Sequence, residues 1–305
     1  MLRHVGSNWL LSAFQILVVL ILSPFVVQSL GVEAFGVWVI VVAMTNFIGI
    51  LVLGLPMASV RHVAEHVATG DTTKMNRAIA TCLGMALGLS LIALAAGVAL
   101  FSVFKATYLA DPQWAGLSHS LTAEAQTAMG LMVLNVAAGF VGRLPYALYD
   151  AHQDFVARNL VMGSGLSLRL ILTLWLLAQT PTLVVLASIL LSVMASEFVV
   201  ALFVIKRRHP AIRFSLKAFD RKLTRGVLSF SLFAMLLNVG SRLAFQSNAL
   251  VIGWFMLPED ATRYDIGNKI FGPLTNVFLG LSMVVLPLAT SLKANLQEED
   301  LQLTL

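Results

Sequence analysis

Residues 54–71, GLPMASVRHVAEHVATGD, contain the spacing H-x-x-E-H at His62, Glu65 and His66, which can mark the helix of a zinc peptidase. Hydrolysis would also need a further ligand and an accessible, dry cleft. The motif instead lies in a short basic segment that follows an apolar run, and no later segment has the composition of a catalytic domain. We therefore interpret it as the continuation of a membrane helix, with Arg61 at the boundary. We predict no metal, no cofactor and no catalytic residue.

Two cations lie within long apolar runs near the end of the chain. Arg242 belongs to the run 226–251 and Lys269 to the run 264–291, and at ~1.5 Å per helical residue both fall in the outer half of a membrane. Inserting a cation near the bilayer centre costs ~2.5–3.5 kcal/mol on insertion scales, so each of these residues is expected to have a function or a partner that offsets the cost. A cationic cavity for phosphate oxygens is one interpretation, with neutral hydrogen bonds from nearby amides. These amides are Asn238, Gln246, Asn248 and Asn268. The alternative is that Asp265 pairs with Lys269 at i, i+4 and that Arg242 snorkels.

A second pair of charges lies in neighbouring apolar runs. Arg169 is ~15 Å and Glu197 ~12 Å from the inner membrane surface by the same helical rise. Adjacent antiparallel helices would bring the two side chains together, and we predict a structural ion pair in preference to a proton relay.

The composition indicates which kind of structural element positions these charged groups. The chain has 305 residues, of which 58% are hydrophobic and 11% charged, whereas soluble domains have about 25% charged residues. The one cysteine, Cys82, allows no disulfide within the chain and no cysteine zinc site. The net charge of +5 comes from short loops, not from one aromatic-laced face, so we predict no nucleic-acid partner.

Eight apolar stretches are long enough to cross a bilayer as helices, which need ~20 residues each. They are 8–30, 35–60, 78–104, 125–147, 159–179, 183–205, 226–251 and 264–291. Barrel strands are shorter and alternate in polarity, so the predicted fold is an all-α polytopic membrane bundle of about eight transmembrane helices. The first stretch is too long for a signal peptide and is interpreted as a retained span.

The connections carry a strong charge bias that sets the orientation. Fourteen Lys and Arg residues of the connections lie on one side, whereas the other side holds Lys105 and Arg263. The basic side is cytoplasmic by the positive-inside rule, so both termini are predicted to be cytoplasmic, in a cell inner membrane.

The basic loop 206–225, KRRHPAIRFSLKAFDRKLTR, differs from the other connections. We interpret it either as a segment lying on an anionic membrane surface or as a solvated linker. Asp220 is expected to cap the helix that follows. Leu55–Ser59 and Leu286–Thr290 share the pattern L-P-[ML]-A-[ST] six spans apart, as in duplicated transporters. We therefore divide the chain into a six-helix lobe (1–205), a cytoplasmic linker (206–225) and the first two helices of a second lobe with a polar tail (226–305).

Prolines within or at the ends of the spans are candidate bends, because each is expected to remove a helical hydrogen bond. Gly272-Pro273 is the first hinge candidate, with a static kink as the alternative, and Pro56 and Pro24 are further hinge candidates.

Several segments together resemble the polysaccharide-biosynthesis branch of the multidrug/oligosaccharidyl-lipid/polysaccharide exporter superfamily. The resemblance rests on LGVEAFGVW (30–38), GLP (54–56), RHVAEH (61–66), GD (70–71), YDAHQDF (149–155) with Asn159, and FD (219–220). Members of this branch flip O-antigen and other lipid-linked oligosaccharides. They usually carry twelve or more spans in two six-helix lobes, so this chain is either a fragment or a shortened member.

The resemblance implies that the chain translocates polyprenyl-pyrophosphate-linked oligosaccharide by alternating access, with no covalent chemistry. Arg242, Lys269 and the neighbouring amides would then receive the pyrophosphate. The expected partners are the lipid-linked oligosaccharide, membrane lipids, and a polysaccharide polymerase with glycosyltransferases. The alternatives are a cation-coupled multidrug exporter of the same superfamily and a non-transporting, truncated membrane subunit.

Overall fold

The computed structural model describes residues 2–52, 54–109, 114, 116–269 and 271. Side chains are described for these residues except 2–5, 230, 232–235, 237–238 and 241–246. The chain divides into two compact units, Met1–Thr262 and Arg263–Leu305, which are treated separately below.

The first unit is built from long α-helices, and its described residues contain no β-strand. In chain order the helices are α1 (Leu2–Leu30), α2 (Val32–Ile48), α3 (Leu55–Ala68), α4 (Thr72–Phe104), α5 (His119–Gly142), α6 (Leu144–Ala151), α7 (Phe155–Gln179), α8 (Leu183–Arg208) and α9 (Arg221–Phe255). A π-helical turn, Lys105–Leu109, extends α4. In the second unit, residues 263–269 are helical.

Six helical stretches of the described residues are long and apolar enough to cross a membrane. They are Gly6–Leu30, Val32–Ala68, Thr72–Leu109, His119–Ala151, Phe155–Gln179 and Leu183–Arg208. The helical membrane bundle predicted from the apolar runs is therefore confirmed. Helix α9 covers the seventh predicted run, and the eighth lies mostly outside the described residues.

Helix α2 lies at the centre of the first unit and packs against α1, α4, α5 and α9. Its residues Phe35–Val41 are all buried, as expected of a helix that is apolar on every side. Helix α1 is peripheral and exposes Trp9 and Leu10 at 74% each. Apolar side chains on this outer surface would contact lipid acyl chains instead of water.

The second spanning stretch is not one continuous helix. Helix α2 ends at Ile48, a 3₁₀ turn covers Gly49–Val52, and α3 begins at Leu55. Pro56 lies in the first turn of α3, where a missing N–H breaks no helical hydrogen bond, so the expectation that it removes one is wrong. Pro24 lies inside α1 as predicted, whereas Gly272 and Pro273 lie outside the described residues. The hinge role of these residues stays a prediction.

The basic linker packs against the start of α4. The Asn76 side chain donates to the carbonyl of Ala211 (2.9 Å) and accepts from the N–H of Arg213 (2.7 Å). Ile212 is buried, and Asp220 caps α9 by accepting from the N–H of Lys222 (2.8 Å), as the sequence predicts. The segment between α8 and α9 is thus attached along one side to the helix bundle, which neither sequence interpretation anticipated.

Candidate functional site

A polar cavity of about 170 Å³ lies between α5, α7 and α8, near the middle of the two latter helices. Its walls include the side chains of Asn135, Arg169 and Glu197, together with the backbone at Gly165. The remaining lining is apolar. Ionisable groups at this depth are costly to insert, so this cavity is the first candidate site of the chain.

Tyr146 holds the carboxylate of Glu197. Its hydroxyl donates a hydrogen bond of 2.9 Å to Oε2 of Glu197. Tyr146 belongs to α6, a short helix that starts just after Arg143 with Pro145 in its first turn. The interruption between α5 and α6 lets α6 contact both α7 and α8, which places the tyrosine beside the glutamate.

Gly165 makes room for the same carboxylate. A Cβ built on Gly165 would overlap Oε1, Cδ and Cγ of Glu197. The glutamate side chain therefore lies directly against the backbone of α7. Only a glycine permits so close an approach of a side chain to a helix.

Arg169 follows Gly165 by one helical turn on the same face of α7 and borders the same cavity. Its charge attracts that of Glu197, but the ion pairs formed by the described residues within 4.0 Å do not join the two groups. The structure thus brings the predicted partners to one cavity, while the hydrogen-bond partner of the carboxylate is Tyr146. The direct ion pair stays a prediction.

The predicted anion-binding residues lie elsewhere in the chain. Arg242, Gln246 and Asn238 belong to α9, and their side chains are outside those described. In the second unit, Asn268 is exposed. Lys269 Nζ lies 2.6 Å from Asp265 Oδ2, which is the i, i+4 ion pair that the sequence offered as the alternative. The assignment of these five residues to a substrate cavity stays a prediction.

The H-x-x-E-H motif lies on α3. Among the described residues, no group of three or more His, Cys, Asp or Glu side chains is arranged to hold a metal ion. His66 borders a separate cavity of about 310 Å³, together with His152 and His209.

The turn between α6 and α7, part of the YDAHQDF segment, anchors three helices. Asp154 caps α7 by accepting from the N–H of Ala157 (3.3 Å), and its carboxylate accepts two 3.0 Å hydrogen bonds from Arg208 at the end of α8. The Tyr149 hydroxyl donates to the carbonyl of Ala201 (2.9 Å), and Asn159 donates to Oδ1 of Asn8 on α1. These contacts give the segment a structural role.

Two histidines lie against each other at this turn, with the ring centroids of His152 and His209 4.2 Å apart and the ring planes tilted by 44°. Burial, with a smaller contribution from His152, lowers the pKa of His209, and the Asp154 carboxylate 3.5 Å away opposes this shift. His209 is therefore held mainly as the neutral imidazole near neutral pH.

Tyr146 and Gly165 are the site residues that sequence reasoning missed. One signal was available, because Leu144-Pro145 repeats the Leu55-Pro56 pair at the predicted cytoplasmic end of another even-numbered span. In both places the pair opens a new helix, and the two helices, α3 and α6, pack against each other.

The fold is shared with transporters of known structure. An inward-facing multidrug resistance MATE family transporter of the MOP superfamily superposes with a TM-score of 0.72 at 16% identity, covering 93% of this chain and 64% of that one. A MOP superfamily transporter from Pyrococcus furiosus, described as having a binding pocket of reverse polarity, gives a TM-score of 0.64 at 17% identity, with 98% and 66% covered. The chain thus spans about two thirds of the length of these neighbours. At such identities the likeness establishes the fold alone.

Comparison with protein sequences gives the family. No curated protein sequence matches the chain. The family model described as polysaccharide biosynthesis protein matches residues 1–293, nearly the whole sequence. Together with the transporter fold, this match shows that the chain is a membrane protein that belongs to the polysaccharide biosynthesis protein family.

Proposed function

We propose that the chain translocates polyprenyl-pyrophosphate-linked oligosaccharide across the inner membrane during the synthesis of surface polysaccharide. The observation that carries this proposal is the family match over residues 1–293 on a fold shared with MOP superfamily transporters. Surface polysaccharides are assembled from sugars that start in the cytoplasm, so their synthesis needs a membrane protein that moves a large polar head across the bilayer. A transporter fold in a polysaccharide family fits that step.

Cations within the membrane suit the anionic cargo. Arg242 on α9 and Lys269 in the second unit would bind pyrophosphate oxygens, and Asn238, Gln246 and Asn268 would add neutral hydrogen bonds. The polyprenyl tail would stay in lipid while the head crosses by alternating access. Translocation makes and breaks no covalent bond, so the chain acts as a transporter and needs no catalytic residue.

The proposed orientation places both termini in the cytoplasm. The last turn of α8 contains Lys206, Arg207 and Arg208, and it lies on the same predicted side as Arg61 and Arg158. A concentration of Lys and Arg in short loops is typical of the cytoplasmic face.

A complementation experiment tests the proposal. The native gene is deleted, and plasmid-borne Arg242→Ala and Lys269→Ala variants are compared with Arg221→Ala and Lys222→Ala, which remove exposed cations from the first turn of α9. We expect the first two variants to lose surface polysaccharide and to accumulate lipid-linked oligosaccharide. The control variants should keep a normal amount of surface polysaccharide. Full surface polysaccharide in the first two variants, at equal protein levels, would contradict the assignment of these cations.

Cation-coupled multidrug export is a second candidate function, and the fold shared with a multidrug resistance MATE family transporter favours it. The same strains distinguish the two functions. If deletion increases sensitivity to cationic drugs and leaves the surface polysaccharide intact, drug export replaces the proposed function.

A further inference from the structure

A larger cavity is separate from the polar cavity at Arg169. It has a volume of about 440 Å³ and lies among α4, α5, α6, α8 and the linker. We call it the inner-leaflet groove and define it by the walls Leu83, Leu144, Phe198 and Leu202 and the mouth residues Lys206 and Arg213.

The walls of the groove are apolar along its length. Phe198 and Lys206 are eight residues apart on α8, so the groove extends ~12 Å along the helix axis. One half of a bilayer core is ~15 Å thick. The groove thus has the depth and the polarity of a space for an acyl chain within one leaflet.

Two exposed cations mark its mouth, on the basic side of the membrane. Lys206 is in the last turn of α8. The backbone of Arg213 is held in place because its N–H donates a hydrogen bond to the side chain of Asn76. Among the ion pairs of the described residues, neither cation has a carboxylate within 4.0 Å. The neighbouring cations differ, because Arg208 binds Asp154 and Arg207 packs over the ring of Phe203.

We propose that the inner-leaflet groove binds an anionic diacyl phospholipid. Basic pockets between helices at the cytoplasmic face of membrane proteins bind anionic headgroups. Lys206 and Arg213 would bind the phosphate and its anionic headgroup, and an acyl chain would fill the space between Leu83, Phe198 and Leu202. A free phosphate would leave the apolar walls exposed, and a neutral lipid would leave both cations unpaired. This inference does not depend on the proposed cargo.

A lipid bound in the groove would also affect how the linker packs against the helices. Arg213 and the buried Ile212 belong to the segment that connects α8 to α9, and Ile212 also lines the groove. A lipid bound there would contact α4, α8 and the linker at once. It would therefore stabilise the attachment of the linker to the first six spans.

The test uses the purified full chain in mixed micelles that contain equal amounts of phosphatidylglycerol and phosphatidylcholine, with retained lipid identified by native mass spectrometry. The double variant Lys206→Ala/Arg213→Ala is compared with Arg221→Ala/Lys222→Ala, which removes the same charge from exposed positions outside the groove. Leu202→Trp fills the groove while both cations remain. If Leu202→Trp does not fold, Leu83→Phe takes its place.

We expect the wild type to retain phosphatidylglycerol in preference to phosphatidylcholine. The Lys206/Arg213 variant should lose about 25-fold in affinity, since each cation near an anionic surface contributes about a fivefold factor. The groove-filling variant should lose the lipid as well, and the control should stay within about twofold of wild type.

Four results would overturn the proposal. Equal losses in the two double variants would indicate general surface attraction without a site. Unchanged retention in the groove-filling variant, or full competition by inorganic phosphate, would show that no acyl chain enters. Preferential retention of a polyprenyl phosphate over phosphatidylglycerol would assign the groove to the carrier lipid.

Discussion

The close contact between Gly165 and Glu197 gives the sharpest prediction about the polar cavity. In Gly165→Ala the new methyl group overlaps the carboxyl end of Glu197, so that side chain must leave its hydrogen bond with Tyr146. A hydrogen bond to a charged group contributes about 1.5–3 kcal/mol. Alanine regains about 1 kcal/mol through its higher helix propensity. We therefore expect a net destabilisation of about 0.5–2 kcal/mol.

The sign of this effect should reverse when the glutamate is removed. In a Glu197→Ala background the space beside Gly165 is free, and Gly165→Ala should stabilise the protein by up to about 1 kcal/mol. Gly163→Ala is the matched control, because it lies on the same helix and its Cβ would meet only Leu11, at 4.0 Å. It should stabilise the protein in both backgrounds.

A cysteine of the chain allows the unfolding midpoint of these variants to be measured. Cys82 is its one cysteine and is fully buried, so a thiol-reactive dye reports unfolding in detergent. A change of 1 kcal/mol shifts the midpoint by roughly 2–4 °C in domains of a comparable size. If Gly165→Ala shifts the midpoint equally in the presence and absence of Glu197, the carboxyl group does not lie against α7 and the geometry of the cavity is wrong.

Three further predictions concern single contacts. Tyr146→Phe should destabilise the protein by about 1.5–3 kcal/mol, measured by the same dye, because it leaves a charged acceptor without its donor; no loss would argue against the bond. Gly54→Ala should destabilise the protein by about 1–3 kcal/mol, because the new methyl group overlaps the backbone of α9. Gly49→Ala is the control, since the space around its Cβ is open and its unfolding midpoint should not fall. Similar midpoints for the two variants would contradict the close approach of Gly54 to α9. Because the pKa of His209 is lowered in the folded state, the unfolded state binds the proton more tightly, so stability should fall as the pH decreases below about 6.5. His209→Gln should weaken that pH dependence, and an unchanged pH profile would refute the role of this residue.

The helices could be predicted from the sequence because their cause is local. A run of about 20 apolar residues must satisfy its own backbone hydrogen bonds in lipid, and only a helix does so within one segment. The cap at Asp220 was predictable for the same reason, since an N-cap side chain bonds to the next few N–H groups.

The interruption of the second span could not be predicted in this way. Hydrophobicity continues through Gly49–Val52, so the predicted run 35–60 crosses the 3₁₀ turn, and Pro56 indicated a possible bend but not the residue at which α2 ends. At this point the backbone of Gly54 contacts that of Ser231 on α9. A contact between residues so distant in sequence is decided by packing, which a periodicity argument does not contain.

The polar contacts were predictable only in part. Charge and depth indicated that Arg169 and Glu197 belong together, and the structure places both at one cavity. The hydroxyl of Tyr146 reaches the carboxylate because α6 begins at Leu144 as a separate helix that packs against α8, so its role follows from geometry instead of residue type. The bonds between Asn76 and the linker join residues about 135 positions apart and leave no trace in local sequence.

The most direct test of the account is to measure translocation itself. The full-length protein is reconstituted into vesicles with a fluorescent polyprenyl-pyrophosphate-linked oligosaccharide, and a membrane-impermeant reagent reports the fraction of sugar heads on the outer face over time. We predict that wild-type protein exposes the sugar to the reagent, and that Arg242→Ala slows this exposure while Arg221→Ala does not. Exposure at the rate of protein-free vesicles, in a preparation that transports a cationic drug, would contradict the proposed function.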